Sequence, residues 1–205
     1  MVSALKALRQ SAVLTVSLVV LFAAIEVATC AGQKPSRSGS SRKSAAAPSQ
    51  TNSSLNSEVR RQLDAVPPRK SWKHIVIHHT GTATGTAKGI DRFHREQRHM
   101  ENGLAYHFLI GNGRGMDDGE IFVGERWKKQ LAGGHLASET LNQSSIGICL
   151  VGNFDRTKPT REQMESLDAL IKKLLEVTGL PRSAVTTHRE IHPRHTQCPG
   201  KFFKM

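Results

Sequence analysis

Metal-binding side chains are concentrated at the carboxyl end of this chain, where His188-Arg-Glu-Ile-His192-Pro-Arg-His195-Thr-Gln-Cys198-Pro-Gly200 sets an imidazole and a thiol ten positions apart. Far upstream, the apolar run Ile75-Val76-Ile77 leads into His78 and His79, the arrangement of a buried strand that delivers a ligand at its end. Two histidines and a thiolate around Zn²⁺ leave the fourth tetrahedral position open, which is the arrangement of catalytic rather than structural zinc. A structural zinc site would need a Cys-x-x-Cys pair or a compact His/Cys finger spacing, and neither is present. Exchange of the second ligand among His188, His192 and His195 stays open at this level. All ten histidines lie beyond Ser71, and each taken singly could equally be a surface or core residue.

Strands and two helices must hold these groups. The patterning predicts strands over His74–His78, Tyr106–Ile110, Ile121–Val123 and Ser145–Val151, with the turn Asn112-Gly-Arg-Gly115 making a hairpin of the second and third. Ala87–Met100 reads as a helix with Ile90, Phe93 and His94 on one face. Thr160-Arg-Glu-Gln163 is a capping box opening a longer helix, whose Met164, Leu167, Leu170, Ile171, Leu174 and Leu175 recur at helical spacing until Gly179 and Pro181 end it. A short segment from Ala184 to Thr187 would bring His188 to the sheet edge that presents His78. The expectation is a single α/β domain with a central mixed β-sheet flanked by helices. His79, next along its strand, should point to the face opposite His78.

Four segments, Ile75-Val-Ile-His-His-Thr80, Ala105-Tyr-His-Phe-Leu-Ile110, Ser145-Ile-Gly-Ile-Cys-Leu-Val-Gly152 and the loop from His188 to Gly200, resemble in order and spacing the zinc-dependent N-acetylmuramoyl-L-alanine amidases, the type 2 amidase and peptidoglycan recognition protein family. The resemblance implies that His78, His188 and Cys198 hold Zn²⁺, and that Tyr106 stands near the attacking water or the substrate carbonyl. It implies hydrolysis of the amide between the lactyl group of N-acetylmuramic acid and L-alanine, with peptidoglycan or a muropeptide as partner. Tyr106, the only tyrosine, and Thr196 are the expected catalytic hydroxyls, although a cross-strand aromatic would also account for Tyr106. His79, His135 and Asn142 are the expected substrate contacts. Thr196 stands where some members carry lysine and Cys149 where others carry glutamate, so the proton carrier stays unassigned. A non-catalytic peptidoglycan-binding module of the same fold is the alternative; a peptidase with a His-Glu-x-x-His helix is excluded by the absence of that motif.

The 205 residues divide into 1–30, 31–70 and 71–205. The first part has the basic, apolar and small-residue regions of a secretory signal peptide, with an apolar run short of the ~20 residues of a membrane-spanning helix. Val27-Ala28-Thr29-Cys30 also resembles a lipobox, so cleavage and lipidation at Cys30 are both open. Either route implies export to the periplasm, the outer membrane or the medium, and a lipidated Cys30 would add a membrane tether. Residues 31–70 read as a flexible basic linker rich in Ser and Ala. Ten Lys or Arg against three Asp or Glu give residues 1–70 a charge of +7, leaving +5 of the total +12 for the remainder. These scattered charges lack interleaved aromatics, which argues for a solvated tether and against nucleic-acid binding. A monomer is expected. Three cysteines cannot all pair, and a bridge between Cys149 and Cys198 is the competitor of the zinc thiolate.

Overall fold

A computed structural model of the chain describes residues 55–192 and 196–205. The expected signal peptide, Cys30, the first part of the expected linker and His195 lie outside the described residues. Five strands form one mixed sheet: β1 (His74–His79), β2 (Phe108–Ile110), β3 (Ile121–Val123), β4 (Ser145–Leu150) and β5 (Val185–Thr187). Their order is β3-β2-β4-β1-β5, with β2 and β3 antiparallel and the other neighbours parallel. Among the described residues no helix is long and apolar enough to cross a membrane.

The register separates two faces. Ile77, Ile148, Phe108 and Val123 stand in one row, and His78, Cys149, Leu109 and Phe122 in the next, so alternation sends the rows to opposite sides. The first face is covered by α5 (Arg161–Thr178), whose Leu167, Leu170, Ile171 and Leu174 join the main core. Thr160 and Gln163 close the expected capping box, and Gly179 ends the helix at φ 70°. Gln163 is buried and donates to Ile110 O and Val151 O, joining the helix start to strand β2 and to the residue that follows β4. On the second face, Leu104, Leu109, Met116, Cys149 and Val151 form a smaller cluster beneath α2 (Ala87–Arg98), with Ile90 and Tyr106 packed against it.

Three expectations require correction. Residues 31–70 are not all linker: α1 (Ser57–Asp64) puts Leu55, Val59 and Leu63 into the main core, and Asp64 pairs with Lys173 of α5 at 2.7 Å. Phe93 does not share the buried face of α2, being 49% exposed, whereas His94 beside it is buried. Strand β2 starts at Phe108 rather than Tyr106, because the His107 ring replaces a ladder acceptor: its Nδ1 takes the Gly147 N–H at 3.0 Å. Two short helices, α3 (Glu125–Lys128) and α4 (Glu139–Ser144), add to the two expected.

Candidate metal centre

Strand β1 carries His78 to the carboxyl end of the sheet, on the α2 face. Its neighbour β5 runs parallel and passes directly into α6 (His188–Ile191), so His188 is the first residue of that helix. Glu190 reaches back to the start of that helix, its carboxylate accepting the Thr187 N–H at 2.7 Å. Arg189 then holds the returning segment: its N–H donates to Cys198 O at 2.8 Å, and its guanidinium donates to Gly200 O and Phe203 O. Gly200, at φ 106°, lies against Phe154, where a Cβ would come within 2.5 Å of the backbone. Arg189 and Gly200 are therefore supports of the site that residue chemistry alone did not single out.

These supports bring one donor atom each from His78, His188 and Cys198 within 4.8 Å of one another. His78 Nδ1 lies 3.8 Å from Cys198 Sγ, close to the separation of about 3.5 Å for a nitrogen and a sulfur sharing a tetrahedral zinc. Burial holds His78 well below the ordinary imidazole range, with the charges of His135 and His188 adding to the effect. Burial likewise brings His188 down to about 4, with His192 contributing. Both rings therefore offer lone pairs at neutral pH. The Cys198 thiol is pushed up to about 11 by burial, against the pull of the His79 N–H, which donates to its sulfur at 3.4 Å. A bound cation would offset that cost and release the thiol proton. Two imidazoles and one thiolate suit zinc. The expected competitor bridge is not formed, since Cys149 and Cys198 are both free.

Tyr106 stands beside the cluster, its ring 5.2 Å from His78 and 5.7 Å from His94. Burial, reinforced by the Cys149 and Cys198 sulfurs, keeps its phenol protonated far above neutral pH. Thr196 Oγ1 accepts the Cys198 N–H at 3.0 Å, leaving its own proton to donate elsewhere. His192 contacts His188 ring to ring at 6.0 Å without joining the donor cluster.

The three expected substrate contacts are each engaged by the protein's own backbone or side chains. His79 is on the opposite face from His78, and its Nδ1 accepts the Phe154 N–H at 3.1 Å. Asn142 is buried: its Oδ1 accepts from His135 N and Leu136 N, and its Nδ2 donates to Leu136 O, although it borders a cavity of about 530 Å³ with Gly133, Gly134 and Glu139. His135 is buried behind His78, its Nδ1 2.9 Å from His78 Nε2 and its Nε2 3.3 Å from Ser145 O.

Residues 68–201 match the family model described as N-acetylmuramoyl-L-alanine amidase. The endolysin of Enterobacteria phage T3 is 31% identical over 141 residues, covering 65% of this chain and 83% of the phage protein. Peptidoglycan-recognition protein 2 of Holotrichia diomphalia is 29% identical over 142 residues, covering 64% and 68%. Among solved structures, the N-acetylmuramoyl-L-alanine amidase LysC from Clostridium intestinale URNW superposes with a TM-score of 0.55 at 32% identity, over 68% of this chain and 85% of that one. Peptidoglycan recognition protein-LE, in complex with tracheal cytotoxin, superposes with a TM-score of 0.52 at 26% identity, over 66% and 78%. The mixed sheet, its flanking helices and the extent of the match together place this chain in the N-acetylmuramoyl-L-alanine amidase family.

Proposed function

We propose that this protein is a zinc-dependent N-acetylmuramoyl-L-alanine amidase that cleaves the amide joining the lactyl group of N-acetylmuramic acid to L-alanine in peptidoglycan. The observation that carries this reading is the convergence of His78, His188 and Cys198 with the Tyr106 ring beside them. Zinc, when bound, supplies Lewis acidity to the scissile carbonyl and to the attacking water. The chain supplies the rest. His78 and His188 present neutral nitrogens, and Cys198 balances charge as a thiolate. Tyr106, held protonated, can donate a hydrogen bond to the oxyanion that develops as the carbonyl is attacked, where a fixed donor is most effective. The Thr196 hydroxyl, oriented by the Cys198 N–H, is a second donor to the same oxygen.

The phage endolysin and the LysC amidase favour hydrolysis, while the recognition proteins favour binding to the same polymer. Protein-LE was solved with monomeric diaminopimelic acid-type peptidoglycan, which supports a muropeptide as the ligand class here. A complete donor set with a neighbouring phenol favours the enzyme over the binding module. Export by the amino-terminal segment and action as a monomer on the cell wall complete the proposal.

The test is incubation of the full chain with purified peptidoglycan, in zinc and in chelator, followed by mass spectrometry of the soluble fraction. Zinc-dependent release of stem peptides beginning with L-alanine is the expected result. Tight binding without release by zinc-loaded protein would establish the recognition module instead.

A further inference from the structure

We infer that His135 is a positioning residue for His78, setting the tautomer through which His78 offers Nδ1 to a metal. The inference rests on the proposed metal site and deepens it. Both ring nitrogens of His135 are engaged, so neither is left to meet a substrate.

The direction of these bonds follows from one fixed acceptor. Ser145 O can only accept, so His135 Nε2 carries a proton. In the neutral ring Nδ1 is then bare, and it accepts from His78 across 2.9 Å. His78 therefore carries its proton on Nε2, which leaves the lone pair on Nδ1, the nitrogen 3.8 Å from Cys198 Sγ. A carbonyl in strand β4 thus fixes the state of a ligand on strand β1 through an intervening imidazole. Metal-bound histidines depend on such outer partners for ring orientation and basicity.

The slot that holds His135 is built for a ring. Gly147 pairs with Val76 and lies on the His78 face of β4, where an added Cβ would come within 2.4 Å of the His135 ring. Gly133 covers the ring from its own loop, and a Cβ there would approach to 2.5 Å. Asn142 accepts the His135 and Leu136 N–H groups, and Gly134 N donates to Ala105 O. The ring can neither slide nor turn without losing one of its two bonds.

The first experiment reads the metal-free protein. Long-range ¹H–¹⁵N spectra of the full chain, labelled at histidine and held in chelator, should show His78 and His135 both protonated at Nε2. Zinc affinity is then measured by chelator competition. His135→Asn, whose Oδ1 can stand where Nδ1 stood, should hold zinc within a few-fold of the parent. His135→Leu and His135→Gln, which lack an acceptor at that point, should bind zinc about 10 to 100-fold more weakly. The His135→Asn and His135→Gln pair keeps the test usable if the apolar variant does not fold. A proton on His135 Nδ1, or parental zinc affinity in both His135→Leu and His135→Gln, overturns the inference. Parental zinc affinity in His135→Asn with a selective loss of peptidoglycan binding also overturns it, in favour of a substrate contact. The expected tautomers in a parent that fails to take up zinc would sustain the positioning role and sink the metal.

Discussion

Acid should destabilise the metal-free protein in part through a single buried ring, His107. This residue is fully buried, its Nδ1 accepts the Gly147 N–H at 3.0 Å, and its Nε2 donates to Leu131 O at 3.0 Å. Burial brings its pKa down from 6.5 to about 3, with Arg126 and Arg69 adding to the effect against the Leu131 bond. A histidine with a depressed folded value stabilises the fold above its unfolded value, and that contribution is lost as pH falls from about 6.5 through 3. At about 1.4 kcal/mol per pH unit, the loss is about 2 kcal/mol by pH 5 and about 4 kcal/mol by pH 3. A domain stable by about 5 to 15 kcal/mol would feel either amount. Because His78 and His135 are also buried and depressed, the parent alone does not isolate the effect. Urea unfolding of parent and His107→Gln in chelator, at pH 7.5 and at pH 5, separates it. The variant starts less stable, but the gap should shrink by about 2 kcal/mol at the lower pH. A gap that stays constant between the two pH values refutes the reasoning.

Two further outcomes follow from the packing and the site. Leu63→Ala should cost about 2 to 5 kcal/mol, because Leu63 is wholly buried in α1, and calorimetry should show the melting temperature falling by about 5 to 15 °C; a fall below about 2 °C would mean that α1 is not part of the cooperative core. Tyr106→Phe keeps the ring and removes the donor, so the rate of stem-peptide release should drop by about 10² to 10³ while zinc affinity stays within about twofold; an unchanged rate would remove the phenol from the chemistry.

Elements with strong local signals were legible in the sequence. Strand β1 is an unbroken apolar run, and α5 carries its capping box, its apolar stripe and its terminal glycine within its own residues. The His78 and Cys198 donors were legible through residue type and position at a strand end and a loop, whereas the choice of His188 over His192 and His195 came from resemblance. Helix α1 was hidden because SEVRRQLD offers only two apolar residues of its own, and Leu55 precedes its cap. The shortening of β2 was hidden because it depends on His107 reaching across to Gly147. His135 and Asn142 were drawn to the substrate by resemblance. Their placement depends on a glycine in β4 and on loop closure around an amide, which adjacent residues do not report.

The position of β1 between β4 and β5 carries a consequence for how the protein becomes active. His78 meets a cysteine 120 residues downstream, and its strand is paired on both edges to segments that emerge much later in the chain. Contacts of such separation form slowly, since the intervening chain must close before they return any stabilisation. The donor set is therefore complete only when the whole topology is complete. A fragment ending before β5 would hold one of the three donors, and partial unfolding that frees β5 would scatter them. Metal capture then acts on global rather than local opening, adding about 4 kcal/mol at a thousandfold excess over the dissociation constant. Resistance to proteolysis should consequently rise with zinc along the entire domain, including α1, which packs with α5 in the main core rather than around the donors.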